Sequence, residues 1–111
     1  MTAPNEPPPD VAGWLPGCAR IDSPNRDARP PGEPIRLIVI HAISLPPGEF
    51  GGQAVADLFT NRLDPLAHPY FSIVANHRVS AHFYIDRAGR VTQFVSCLER
   101  AWHAGVSCWL G

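Results

Sequence analysis

The sequence contains no apolar run approaching the roughly 20 residues that a membrane-spanning helix needs. Its first ten residues, Met1-Thr2-Ala3-Pro4-Asn5-Glu6-Pro7-Pro8-Pro9-Asp10, hold neither a basic stretch nor an apolar one, so they do not read as a secretory signal. Excess charge of either sign is missing as well, with 9 Lys and Arg against 10 Asp and Glu and a net charge of −1. That speaks against nucleic-acid binding by counterion release, and no basic stripe suits an anionic membrane. Cysteine is scarce and odd in number: Cys18, Cys97 and Cys108 form no CxxC pair. Reduced thiols in a cytoplasmic protein are the expectation.

Several compact catalytic signatures are absent too. The histidines, His41, His68, His77, His82 and His103, make no HxxxH or HExxH pattern. Gly51-Gly52 belongs to no phosphate-cradling motif, and no serine-nucleophile motif occurs. Whatever chemistry the chain supports must be assembled from residues distant in sequence.

What is present suffices for one small domain. The chain has 111 residues, 45% of them hydrophobic and 17% charged, which supports a packed core. Nine of its 13 prolines lie between Pro4 and Pro34. Residues 1–12 are expected to form a disordered Pro-rich tail, since Pro7-Pro8-Pro9 favours solvated polyproline II. Residues 13–34 read as loop, with Trp14, Leu15 and Ile21 lying over the domain.

Ile35-Arg36-Leu37-Ile38-Val39-Ile40 is β-branched and almost continuously apolar, the pattern of a central strand buried on both faces. The spacing predicts a helix over Gln53 to Asn61, with Val55, Leu58 and Phe59 on one side. A second short helix is predicted over Pro69 to Val74, with proline at its first position. Ala81 to Asp86 and Arg90 to Val95 read as a β-hairpin turning at Gly89, and Leu98 to Gly105 as a loop or a single helical turn. Strand, helices and hairpin in this order predict an α/β or α+β sheet with helices packed on it.

His41 stands where the apolar run gives way to a Pro/Gly-rich loop, and ligand sites in open α/β sheets collect at carboxyl strand ends. A neutral imidazole there can bind a metal, although a bond to a loop carbonyl is the commoner role of a histidine so placed. Arg78 can clamp a carboxylate bidentately or simply be solvated. In Arg100-Ala101-Trp102-His103, the aromatic ring can floor a pocket for a sugar or peptide, or plug the core. His82 reads as a core histidine, His68 as a loop residue, and Asp64 and Asp86 as turn acids.

A series of segments then carries a resemblance. They are Gly13-Trp14-Leu15, Ser23-Pro24-Asn25 with Asp27 and Arg29-Pro30, and Val39-Ile40-His41 followed by Ile43-Ser44-Leu45-Pro46-Pro47-Gly48-Glu49-Phe50-Gly51-Gly52. Next come Leu58-Phe59, Leu63-Asp64, His68-Pro69-Tyr70-Phe71, Arg78-Val79-Ser80-Ala81-His82 and Gln93-Phe94-Val95. Last is Arg100-Ala101-Trp102-His103-Ala104-Gly105-Val106-Ser107. In this order and spacing the chain resembles the AmpD-type anhydro-N-acetylmuramoyl-L-alanine amidases, within the wider family of phage lysozyme-like amidases and peptidoglycan-recognition proteins.

The resemblance implies a mixed β-sheet flanked by helices and a zinc held by two histidines and an aspartate. It implies hydrolysis of the amide between anhydro-muramic acid and the first alanine of a muropeptide. His41 becomes the first zinc ligand, and Arg78, Ala101 and Trp102 line the muropeptide cleft. Two departures stand out. The family's catalytic glutamate, second histidine and aspartate lie in segments that would follow Gly111, so no catalytic residue is assigned and residues 13–111 match only the N-terminal part of the domain, truncated after the hairpin. Ala42 stands where the family often has asparagine, which removes an amide that can contact substrate.

On this basis the 111-residue chain is expected to bind zinc poorly and to be inactive by itself, with a non-catalytic muropeptide-binding remnant as the alternative. A metal site built only from His41, His82 and His103 is a third reading. An uncovered apolar strand would favour aggregation, dimerisation or partial order. Oligomeric state is not legible in the sequence.

Overall fold

The computed structural model describes residues 13–32 and 34–103, and the proposed tail lies outside them. Its elements are β1 (Ala19–Arg20), β2 (Arg26–Ala28), α1 (Ala54–Phe59), α2 (Pro69–Val74), β3 (Phe83–Ile85), β4 (Val91–Gln93) and β5 (Glu99–Ala101). Strands β1, β4 and β3 form one sheet in that order, with β1 parallel and β3 antiparallel to β4, so the sheet is mixed. β2 and β5 form a separate antiparallel ladder in which Asp27 faces Arg100.

Both helices fall where the sequence places them. In α1, Val55, Leu58 and Phe59 are buried, and Asp57 in the first turn complements the helix dipole. The helix stops because Asn61 takes a left-handed conformation at φ +62°, the usual terminating geometry for glycine or asparagine. In α2, Pro69 opens the helix, and His68 is its N-cap rather than a plain loop residue, its Nδ1 accepting from the Tyr70 amide at 3.0 Å. The hairpin turns as expected, with Gly89 at φ +83° and Asp86 Oδ1 accepting from the Ala88 and Arg90 amides. Asp64 likewise closes a turn by accepting from the Leu66 amide.

The core gathers α1, α2 and the segment after β4: Val55, Leu58, Phe59, Leu63, Phe71 and Val74 pack with Leu45, Phe94, Val95 and Ala101. Phe59 and Phe94 meet edge to face with centroids 5.1 Å apart, a favoured aromatic geometry. Gln93 is fully buried and fastens the start of the described chain. Its Oε1 accepts from the Leu15 amide at 2.7 Å, and its Nε2 donates to the Gly13 and Val95 carbonyls at 2.9 Å each. Trp14 is thereby buried, whereas Leu15 and Ile21 stay exposed.

Three expectations are corrected. Residues 13–34, read as loop, contain β1 and β2, because these short segments find ladder partners in the distant β4 and β5. Ile35 to Ile40 forms no strand and is exposed, Ile38 by 83% and Ile40 by 88%. Its composition suits a strand buried on both faces, but no described strand pairs with it, and apolarity alone does not supply a ladder. The stretch read as a loop after Leu98 contains β5, because Glu99–Ala101 finds its partner in β2, more than 70 residues earlier in sequence. No helix among the described residues is long and apolar enough to cross a membrane.

Candidate metal and substrate site

His41 and His103 are brought together. His41 Nε2 lies 2.9 Å from His103 Nδ1, and the ring centroids are 5.0 Å apart with an interplanar angle of 35°. Both side chains are exposed. They arrive by different routes. His103 follows β5 and Trp102 on a braced backbone, while His41 ends the 35–40 segment, over which no strand forms.

The brace beneath His103 is a buried polar junction of three segments. Trp102 N donates to the Asn25 carbonyl at 3.3 Å and to Ser80 Oγ at 3.2 Å, and Ser80 N donates to the Trp102 carbonyl at 2.8 Å. Ser80 Oγ donates in turn to the Asn25 carbonyl at 2.7 Å. Asn25 Nδ2 reaches the Val79 carbonyl at 2.8 Å and Asn61 Oδ1 at 2.9 Å, and Asn61 Nδ2 donates back to Asn25 Oδ1 at 3.0 Å. Such internal satisfaction removes the desolvation penalty that these buried groups would otherwise carry.

The same junction serves the residues proposed to line the cleft. Arg78 is exposed two residues before Ser80. Trp102 is half-buried, and the side chain of Ala101 packs in the core cluster. Beside them, Arg100 Nε donates to Asp27 Oδ1 at 2.7 Å. The Arg100 hydrogen bond holds the Asp27 carboxyl below the usual carboxylate range, with a further contribution from a Trp102 side-chain hydrogen bond.

His82 turns away from the pair. Its Nε2 lies 2.8 Å from the Glu99 carbonyl oxygen and 3.4 Å from Arg29 Nη2. Burial pushes its imidazole below the ordinary histidine value, and the Arg29 charge adds to the shift. Its hydrogen bonding agrees with the reading of a satisfied histidine, but the ring is half-buried rather than in the core. Among the described residues no three ligand-type side chains converge. Zinc accepts imidazole nitrogen readily, so His41 and His103 fit as two donors of a site that leaves positions for other ligands. The sequence offers His103 only within the third reading, a metal site with His41 and His82, and the structure turns His82 away from that group. Sequence reasoning assigns Asn25 and Ser80 no role, and only their burial, each at 2% exposure, marks them.

A mixed sheet with packed helices, and an imidazole pair beside a half-buried tryptophan, define the class on which comparison with known proteins converges. The sequence pattern of the Amidase_2 family, N-acetylmuramoyl-L-alanine amidase, matches residues 31–109, and the chain belongs to that family. It is similar to the 1,6-anhydro-N-acetylmuramyl-L-alanine amidase AmpD of Escherichia coli (strain K12), with 54% identity over 99 residues that cover 89% of this chain and 54% of the relative. The AmpD protein of Haemophilus influenzae matches with the same identity and the same coverage. A crystal structure of a Se-Met AmpD derivative superposes with a TM-score of 0.84 at 53% identity, covering 90% of this chain and 56% of that one. The solution structure of Citrobacter freundii AmpD gives a TM-score of 0.53 at 54% identity, covering 89% and 53% respectively. The chain thus spans about half the length of the curated relatives it matches.

Proposed function

We propose that this chain provides the substrate-facing and metal-facing half of a zinc-dependent amidase that cleaves the bond between (anhydro-)N-acetylmuramic acid and L-alanine in muropeptides during peptidoglycan recycling. The observation that carries the reading is 54% identity, across 89% of the chain, to relatives named for that activity. His41 is the metal ligand. Arg78 offers a planar pair of donors to a carboxylate of the stem peptide. Trp102 offers an aromatic face to the sugar or the lactyl group, held in place through Asn25 and Ser80. Zinc, when bound, supplies polarisation of the scissile carbonyl and a more acidic attacking water. The free thiols of Cys18 and Cys97 support a reducing, cytoplasmic setting.

Hydrolysis by residues 1–111 alone is proposed to be negligible, because a catalytic zinc is normally held by three protein ligands and only two converge among the described residues. The test joins this chain to the segment of the Escherichia coli relative that extends beyond the match. The chimera is expected to release peptide from anhydro-muropeptide in a zinc-dependent manner, with His41→Ala abolishing release and Arg78→Ala or Trp102→Ala raising KM. A folded, zinc-loaded chimera that binds muropeptide without cutting it would assign a non-catalytic binding role instead. Neither binding nor cleavage would overturn the reading.

A further inference from the structure

We infer that the groove between the β1–β2 connection and the outer face of α1 binds a small zwitterion, with Asp57 taking its ammonium group and Arg62 its carboxylate. The ligand class is an amino acid or short peptide in which an α-ammonium and a carboxylate are both free.

The groove follows from the helix period. Val55, Leu58 and Phe59 of α1 face the core, which leaves Ala56, Asp57 and Thr60 to form one wall. Ile21, Asp22 and Pro24 form the opposite wall. The enclosed volume is about 450 Å³, within the roughly 300–1,000 Å³ of small-molecule sites. Both walls are fixed. Ile21 N donates to the Gln93 carbonyl at 3.0 Å and Ser23 N to the Phe94 carbonyl at 2.9 Å. Ser23 Oγ donates to the Phe59 carbonyl, which ties the connection to the helix. A groove set before its ligand arrives loses little freedom on binding.

The second argument is opposite charge held apart. Arg62 N donates to the Asp57 carbonyl at 2.7 Å, and the left-handed Asn61 turns the chain so that both side chains line one groove. No ion pair joins them, and among the described residues neither side chain has a hydrogen-bond partner. Asp22 differs, because Arg20 holds both its oxygens, at 2.8 and 3.4 Å. Thr60 Oγ1 donates to the Ala56 carbonyl at 2.8 Å, which leaves its lone pairs to accept from an ammonium. Ile21, Pro24 and Ala56 offer apolar surface to a small side chain between the charged ends. A lone anion would meet Asp57 and a lone cation Arg62, so a ligand carrying both charges is the one matched at both ends.

The peptide freed by the proposed amide cleavage belongs to this class. Water adds its oxygen to the lactyl carbonyl, the C–N bond breaks, and the products are a carboxylate and an α-ammonium. The uncleaved muropeptide has an amide at that nitrogen, so the groove selects product over substrate. This extension alone rests on the amidase reading.

The experiment titrates the full, isotope-labelled 111-residue chain with L-alanyl-L-alanine at neutral pH and follows backbone amide shifts by NMR. One dipeptide per chain is expected, with Kd of about 1 mM and shifts centred on Asp22, Asp57 and Arg62. N-acetyl-L-alanyl-L-alanine lacks the ammonium and L-alanyl-L-alanine amide lacks the carboxylate. Each should bind about tenfold more weakly. Asp57→Asn should abolish the preference for a free amino terminus and keep that for a free carboxylate, and Arg62→Gln should do the reverse. Neither side chain is buried, so both variants should keep the parental thermal midpoint. The comparison of the three probes on the parent chain needs no variant. The inference is overturned by equal affinity for the three probes, by either preference surviving its variant, or by no shifts at about 10 mM dipeptide. No zinc or muropeptide enters the measurement, so its failure and that of the amidase assay are distinguishable.

Discussion

Ser80 Oγ donates to the carbonyl oxygen of Asn25 at 2.7 Å, and this contact joins segments 55 residues apart in sequence. Both residues are buried, and the Ser80 hydroxyl also accepts from the Trp102 amide at 3.2 Å. The position of Trp102, and of His103 after it, is therefore set by the Ser80 hydroxyl and the Asn25 backbone carbonyl, neither of which touches a metal or a substrate in the proposed reaction.

Ser80→Ala removes that hydroxyl from a buried site and leaves the Trp102 amide one acceptor short. The expected cost is about 1–3 kcal/mol, read as a lower urea midpoint. In the chimera, the same substitution should raise KM for muropeptide through displacement of Trp102.

Gly13→Ala should destabilise the chain by more than the small size of the added methyl group suggests. Gly13 has φ +81°, and an added Cβ would lie 2.5 Å from Ser96 Oγ and 2.8 Å from the Leu98 amide nitrogen. Backbone strain of about 1–3 kcal/mol adds to that clash. A reduced unfolding midpoint, with Trp14 becoming more solvent-exposed by fluorescence quenching, is the expected outcome.

The burial of His82 makes stability depend on pH in a defined direction. Its folded-state pKa lies below the ordinary histidine value of about 6.5, chiefly through desolvation. Between these two values the unfolded chain binds more protons than the folded one, so stability rises with pH. The full contribution is present above the unfolded value and is lost as pH falls from there towards the depressed folded value. Urea denaturation at several pH values in the presence of chelator should show this slope, and His82→Gln should flatten it.

Ile38 and Ile40 are exposed by 83% and 88%, within a segment where Ile35, Leu37 and Val39 are exposed as well. Such a patch promotes association. An Ile38→Lys, Ile40→Lys double variant should change unfolding stability by less than about 0.5 kcal/mol per site. It should reduce self-association measured by analytical ultracentrifugation.

Local signals were read well from sequence where the structure is local. The helix over Ala54–Phe59 follows from the spacing of Val55, Leu58 and Phe59, and the start of the second helix from Pro69. The Gly89 hairpin is equally short-range. The 35–40 run misled because apolarity identifies a segment suited to burial without supplying the strand that pairs with it. β5 was missed for the converse reason: Glu-Arg-Ala carries little strand preference, and its partner is distant.

By itself the sequence determined the family, through motifs whose order and spacing are read along the chain, and also the two helices, the hairpin and the place of His41 at the end of the apolar run, which rest on residue identities close together. Tertiary structure alone decided that His103 stands beside His41, that His82 faces Glu99, and that Asn25 and Ser80 hold Trp102. The physical reason is that a ligand pair or a polar junction depends on distances of about 3 Å between side chains. Here the partners are separated by 62 residues for the His41 and His103 rings and by 55 for the Ser80 hydroxyl and the Asn25 carbonyl, and only packing of the intervening helices and strands brings them into contact.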